Sequence, residues 1–354
     1  MRAVCFEEVG QVKLIDLADP QLIDADDAIV EVEVAGLCGS DLHPFFGRES
    51  GLDRHTVMGH EMVGKIVALG EQAAQVADPD HQVLEIGDRV YMPFSTSCGS
   101  CFYCRLGLTA RCEGGQLFGW RQAGKGLHGC QAEYVRVPLA KGTLLKIPEG
   151  IDANQALLLG DNFSTGFYCA EMANLQPGGV AAVIGCGTVG QLCLQVAAKM
   201  ECRNLFAIDP VPSRRVAAER WGAIPLSPEE APAAIAQING GRGCDAVMEL
   251  VGLPDAQRLA FQIIRPGGTM SVIGCHCTPQ FAFSPVDAYD KNLTYRTGRC
   301  SARFYMEKLT PDVAAKTFDL SGVITHEFDP SECERAYEVF SQQQDGCIKA
   351  VFRF

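Results

Sequence analysis

The sequence predicts an α/β chain in two parts, a β-rich and partly barrel-like unit joined to a doubly wound parallel sheet. Three observations carry this. The 354 residues suffice for two domains at roughly 150 residues each. Short β-type runs broken by glycine fill the first third, at residues 28–34, 63–69, 89–92 and 132–137. After Pro148 apolar strand-like runs alternate with amphipathic segments, the pattern of parallel strands covered on both faces.

In order, residues 180–184 read as a strand and 189–200 as a helix, 204–208 as a strand and 213–221 as a helix. A strand at 245–251, a helix at 254–264 and a strand at 269–273 follow, with Pro266-Gly267-Gly268 as the turn into the last. From about Tyr295 the alternation ends. Residues 333–340 then read as a helix and 348–354 as a terminal strand that packs back onto the first part. We expect a catalytic domain at 1–162 and 297–354 and a cofactor domain at 163–296.

Composition narrows the function. With 47% hydrophobic and 21% charged residues the chain is an ordinary globular protein. Thirty Lys and Arg against 43 Asp and Glu give a net charge of −13, and no dense basic run is present. That excludes nucleic acid or an anionic membrane as the main partner. The first ten residues include Glu7 and Glu8 and lack an apolar core, so they do not read as a signal peptide, and a cytoplasmic protein is expected. The uncharged stretch 180–198 contains Gly185, Gly187 and Gly190 and reads as a buried strand–turn–helix rather than a membrane span. Seventeen cysteines without an export signal are buried thiols or metal ligands, not a disulfide framework.

Their spacing separates the two. Cys98, Cys101, Cys104 and Cys112 recur at short intervals in a polar loop, where buried apolar cysteines are not expected. Four thiolates close a tetrahedron around zinc and leave no open position, which makes such a site structural. An iron–sulfur cluster is the rival at this spacing. A second set lies at Cys38-Gly39-Ser40-Asp41-Leu42-His43 and Gly59-His60-Glu61. Catalytic zinc takes about three protein ligands and keeps one position open. Cys38 and His60 suit it, and Asp161, at the join between the two textures, is a candidate third. Glu61 reads as an outer partner or an occasional extra ligand.

Gly185-Cys186-Gly187-Thr188-Val189-Gly190 places G-x-G-x-x-G between a strand and a helix, with Asp209 closing the next strand. Gly185 makes the tight turn, Gly187 admits the pyrophosphate, and Gly190 lets the helix pack on the sheet. Thr188 and Val189 lie where this loop meets the helix, whose N-terminus faces the phosphates. Asp209 should accept from the adenosine ribose and repel a 2′-phosphate, favouring NAD. Arg214 and Arg215 lie close enough in sequence to accommodate that phosphate.

At this point the chain resembles the zinc-dependent medium-chain alcohol dehydrogenases over essentially its full length. Gly59-His60-Glu61-Met62-Val63-Gly64, then Gly70 and Ala73, match the family's zinc signature. The four-cysteine lobe matches its structural zinc site, and the glycine loop its cofactor site. The resemblance implies a GroES-like catalytic domain, a Rossmann cofactor domain, NAD, and one catalytic and one structural zinc per chain. It assigns the catalytic zinc to Cys38, His60 and Asp161, the aspartate resembling a variant of the usual third cysteine. It implies a proton relay from Ser40 through the nicotinamide ribose to His43. Less specifically, it places Arg214 near the adenosine ribose and Lys349 as a basic phosphate contact. Gly39 stands where many relatives carry an arginine on the pyrophosphate.

The activity expected is reversible hydride transfer between a small alcohol or polyol and NAD, in a homodimer or homotetramer. Two alternatives stand beside it. One is formaldehyde oxidation or dismutation with retained cofactor, which the run 93–104 resembles; the other is a non-catalytic dinucleotide-binding protein. His55, His81, His128 and His326 are assigned no role.

Overall fold

The computed structural model describes residues 1–74 and 83–354; His81 lies outside the described residues. The chain divides into two compact units, Met1–Ser164 with Ser301–Phe354, and Thr165–Cys300.

Among the described residues the first unit carries a seven-stranded sheet. Its order runs His326–Phe328, Ala350–Arg353, Ala28–Leu37, Met62–Leu69, Arg89–Tyr91, Leu145–Lys146, with Tyr134–Val137 also pairing with Ala28–Leu37. The ten-residue strand Ala28–Leu37 is its centre, and eight of its residues are buried because both faces are covered. Val30, Val32, Met62, Ile66, Val90 and Met92 pack one core; Val4, Leu37, Met58, Tyr337 and Phe352 pack another. The C-terminal strand pairs antiparallel with Ala28–Leu37, Ala350 opposite Leu37. That pairing places Lys349 beside the end of the strand that leads into Cys38. Sequence reading missed the helix Ala302–Ala314, whose amphipathic pattern is interrupted by Pro311.

The second unit carries a six-stranded sheet among the described residues, every pair parallel. The order is Ile224–Leu226, Asn204–Ile208, Val180–Ile184, Cys244–Glu249, Ile264–Val272, Thr294–Thr297. The strand order reverses between Val180–Ile184 and Cys244–Glu249, the switch point at which open α/β sheets take ligands. All five residues of Val180–Ile184 are buried, which accounts for the uncharged run in the sequence. The helix that follows is Thr188–Lys199, one residue earlier than expected at each end. The expected turn at 266–268 is corrected: the strand runs through it, and the register passes from Cys244 opposite Ile264 to Ala246 opposite Thr269. Gly267, at φ +71°, supplies the backbone such a bulge requires. Among the described residues no helix is long and apolar enough to cross a membrane.

Candidate metal centres and dinucleotide loop

Three pieces of backbone bring the first cluster together. The strand Ala28–Leu37 ends at Cys38, and a single 3₁₀ turn, Gly39–Asp41, follows. His60 and Glu61 precede the strand Met62–Leu69, paired beside it. The helix Ala153–Gly160 starts on a capping box, with Asp152 accepting from Gln155 N–H at 2.8 Å and the Gln155 side chain accepting from Asp152 N–H at 3.0 Å. It ends against the strand Arg89–Tyr91. A side chain at Gly160 would begin 2.5 Å from the Met92 carbonyl, so only glycine lets the helix end close in and deliver Asp161.

Donor atoms of Cys38, His60, Glu61 and Asp161 all lie within 4.8 Å of one another. Asp161 Oδ2 is 3.7 Å from both Cys38 Sγ and His60 Nε2. The other ring nitrogen, His60 Nδ1, is 3.0 Å from Asp41 Oδ1, and Asp41 Oδ2 accepts the Cys38 N–H at 2.9 Å. Sequence reading assigned Asp41 no role. Its signal was available, because a carboxylate three residues after one ligand can reach the ring of another. The Ser40 hydroxyl is 3.2 Å from His60 Nε2. His43 is buried on the one-turn helix Leu42–Phe45.

Glu61 has both of its oxygens engaged by neighbours. Its Oε1 accepts from Asn162 Nδ2 at 2.9 Å, and its Oε2 pairs with Lys349 Nζ. Asn162 also donates to Asp161 Oδ2 at 3.3 Å, so one amide spans both carboxylates. Gly36 leaves the space: any side chain there would overlap the Glu61 carboxylate. Tyr337 donates to Gln131 at 2.9 Å, and Gln131 to the Gly36 carbonyl at 3.0 Å, bracing this wall. The phosphate-contact role for Lys349 is corrected here. Its side chain is 0% exposed and its ammonium is held by Glu61, so it cannot serve a ligand without abandoning a buried charge.

The electrostatics of the set call for a cation. Burial pushes the Cys38 thiol up, and the charge of Glu61 adds to it. Burial alone would lower His60, but Asp41 and Asp161 override it and hold the ring well above its ordinary value. Lys349 likewise stays charged against burial, chiefly through Glu61. A divalent ion would relieve the crowded donors and take up the thiolate and the imidazole lone pair. The donor set, one sulfur, one nitrogen and one carboxylate oxygen, fits zinc.

The second cluster is Cys98, Cys101, Cys104 and Cys112, again with sulfur atoms within 4.8 Å. Gly99 and Gly107, at φ +75° and +76°, let the chain fold back so tightly. Backbone N–H groups of Ser100 and Cys101 point at Cys98 Sγ at 3.4 and 3.3 Å, and that of Cys98 at Cys112 Sγ at 3.2 Å. Cys101 is pulled down to about 6, first by the Cys104 N–H and then by that of Glu113. Four thiols with no further donor fit closed coordination.

In the second unit, Gly185 sits at φ +91°, and a side chain at Gly190 would overlap the Gly185 carbonyl. Gly187 caps the helix that Thr188, Val189 and Gly190 open. Asp209 is buried; its Oδ2 accepts Cys186 N–H at 2.7 Å and its Oδ1 accepts Val211 N–H at 2.8 Å. One lone pair on each oxygen remains for a ligand. Arg214 lies over the loop, its Nη1 3.6 Å from where a Gly187 side chain would begin. Arg215 turns instead to the Asp209 and Pro210 carbonyls, at 2.7 and 3.0 Å.

Comparison with known proteins agrees. Residues 24–149 match the alcohol dehydrogenase GroES-like domain, and 188–314 the zinc-binding dehydrogenase domain. Zinc-type alcohol dehydrogenase B of Aspergillus flavus is 37% identical across all of this chain and 81% of its own length. The chain belongs to the zinc-dependent medium-chain alcohol dehydrogenase family. A probable zinc-binding alcohol dehydrogenase of Mycobacterium tuberculosis is 36% identical over 95% of this chain and 84% of its own. Alcohol dehydrogenase TADH from Thermus sp. ATN1 superposes with a TM-score of 0.91 at 33% identity, all of both chains covered. The chain thus carries the family's GroES-like catalytic domain together with a Rossmann-like parallel sheet, and the protein is an oxidoreductase.

Proposed function

We propose that this dehydrogenase interconverts small alcohols or polyols with their aldehydes or ketones, using NAD and a zinc ion held by Cys38, His60 and Asp161. The observation that carries this is the convergence of those three donors, with the Ser40 hydroxyl 3.2 Å from His60 Nε2. When bound, zinc supplies Lewis acidity to the alcohol oxygen and the nicotinamide accepts the hydride.

The chain's own residues do the rest. Asp41 fixes His60 with its proton on Nδ1, which leaves the Nε2 lone pair for the ion. Asn162 and Lys349 hold Glu61 by both oxygens and so keep the fourth position open to substrate. Ser40 takes the alcohol proton and hands it toward His43. Cys98, Cys101, Cys104 and Cys112 hold a second, structural zinc. In the cofactor domain Asp209 accepts from the adenosine ribose and selects NAD, while Arg214 covers the dinucleotide beside Gly187. We take the protein to be cytoplasmic and to work as a homodimer or homotetramer.

The test is absorbance of reduced cofactor with a panel of primary, secondary and polyhydric alcohols, with NAD or NADP, before and after chelation. Steady NADH production that chelator abolishes supports the reading. NADH confined to a single turnover favours the retained-cofactor alternative. Dinucleotide binding without turnover on any alcohol or carbonyl favours the non-catalytic one.

A further inference from the structure

One loop of the cofactor domain carries chemistry that hydride transfer leaves unused. Gly274-Cys275-His276-Cys277 follows the strand Ile264–Val272. Both cysteines are exposed, and neither belongs to a disulfide. Their sulfur atoms lie within 4.8 Å of each other.

The reason is local. Along a non-helical segment residues i and i+2 share a side, and the residue between them takes the other. His276 is fastened there. Its Nε2 lies 3.1 Å from Glu249 Oε2, and the Gln257 amide lies 3.1 Å from the same nitrogen. Glu249 is itself fully buried, its Oε1 accepting the N–H groups of Val251 and Gly252 at 2.7 and 2.8 Å. The imidazole therefore pins the loop to the end of the strand Cys244–Glu249, and the two thiols are presented together.

We propose that Cys275 and Cys277 form a bidentate thiol site for a thiol-bridging centre, of which trivalent arsenic is the class that fits. A disulfide would require sulfurs at about 2.05 Å within a narrow range of Cβ separations, which a pinned loop with a one-residue gap resists. An atom making bonds of about 2.3 Å, the length of a zinc–thiolate bond, bridges sulfurs roughly 3.8 Å apart. With an arsenous oxide R–As=O, two As–S bonds form and the As=O bond breaks. The oxygen leaves as water with both thiol protons, and arsenic remains trivalent.

Capture at this loop bears on the dinucleotide loop. A side chain at Gly252 would overlap the Cys275 carbonyl, and Val251 Cγ2 lies 2.7 Å from where a Gly185 side chain would begin. The cysteine loop, the turn after Glu249 and the glycine loop are thus packed in succession at one end of the sheet. This second part rests on reading the glycine loop as a dinucleotide site; the capture does not.

The experiment uses zinc-replete protein, phenylarsine oxide as probe, intact and peptide mass spectrometry, and NADH titration by calorimetry. One phenylarsenic per chain, mapped to 275–277, is expected. Cys275→Ser or Cys277→Ser should each weaken capture about 100-fold or more, because the second bond is intramolecular. Loaded protein should bind NADH several-fold more weakly. No adduct, or an adduct that survives both substitutions, overturns the site. An adduct with NADH affinity unchanged keeps the site and overturns its link to the glycine loop. Failure of untreated protein to bind NADH at all tells against the dinucleotide reading alone.

Discussion

Replacing Lys349 with methionine tests the wall of the metal centre with an effect large enough to work out. The Lys349 ammonium and the Glu61 carboxylate are both 0% exposed and paired. Methionine keeps the length and removes the charge, leaving Glu61 buried near Asp161 with only the Asn162 amide as donor. Breaking a buried pair in this way costs about 3–5 kcal/mol. A second route gives the same size. The variant can protonate Glu61, and from an ordinary value of 4.5 that costs about 3.4 kcal/mol at pH 7. The proton route also sets the sign of the pH dependence. Below pH 7 protonation becomes cheaper by about 1.4 kcal/mol per unit, so the deficit of the variant shrinks as pH falls. Urea unfolding of zinc-replete protein should show a deficit of about 3–5 kcal/mol at pH 7.5, and one about 2–3 kcal/mol smaller at pH 5.5. In Tm the loss is on the order of 10 °C. The double variant Glu61→Gln/Lys349→Met should recover most of it. A Lys349→Met protein within 0.5 kcal/mol of wild type at pH 7.5 would refute the reasoning, as would a double variant less stable than the single.

Three further predictions concern neighbouring parts of the same domain. Ser40→Ala should lower turnover roughly 10²-fold in steady-state assays while the NAD dissociation constant holds; wild-type turnover would remove Ser40 from the relay. Asp41→Asn should speed zinc release to a chelator from the Cys38 site about 10–100-fold and leave release from the four-cysteine lobe unchanged. His128 is lowered to about 4 by burial and then by Arg121, and both its ring nitrogens face donors, Val57 N–H at 3.1 Å and Arg121 Nη1 at 2.8 Å. The unfolded chain binds this proton from about pH 6.5 downward and the folded chain does not. Stability is therefore complete above pH 6.5 and falls by about 2–3 kcal/mol toward pH 4, a loss that His128→Gln should remove from the acid unfolding profile.

Local patterns were the legible part of the sequence. The four cysteines fall within fifteen residues, and the glycine loop is flanked by its own strand and helix, so spacing alone pointed to both clusters. The parallel sheet was legible because its buried strands are continuous apolar runs. Contacts made across the chain were not. Cys38 and Asp161 are 123 positions apart; position at the join between the two textures made Asp161 a candidate, and only the resemblance assigned it. Lys349 is 288 positions from Glu61, and nothing near it in sequence tells a buried ion pair from a phosphate contact. Asn162 reads as an ordinary helix-starting residue until the two carboxylates beside it are placed. Helix Ala302–Ala314 escaped because Pro311 breaks its pattern without breaking the helix.

Zinc content per chain tests the central claim most directly. Elemental analysis of wild type and Cys38→Ala, each purified without chelator, should give two zinc ions and one. A wild type with a single zinc, or a Cys38→Ala protein that keeps both, would contradict a metal held by Cys38, His60 and Asp161.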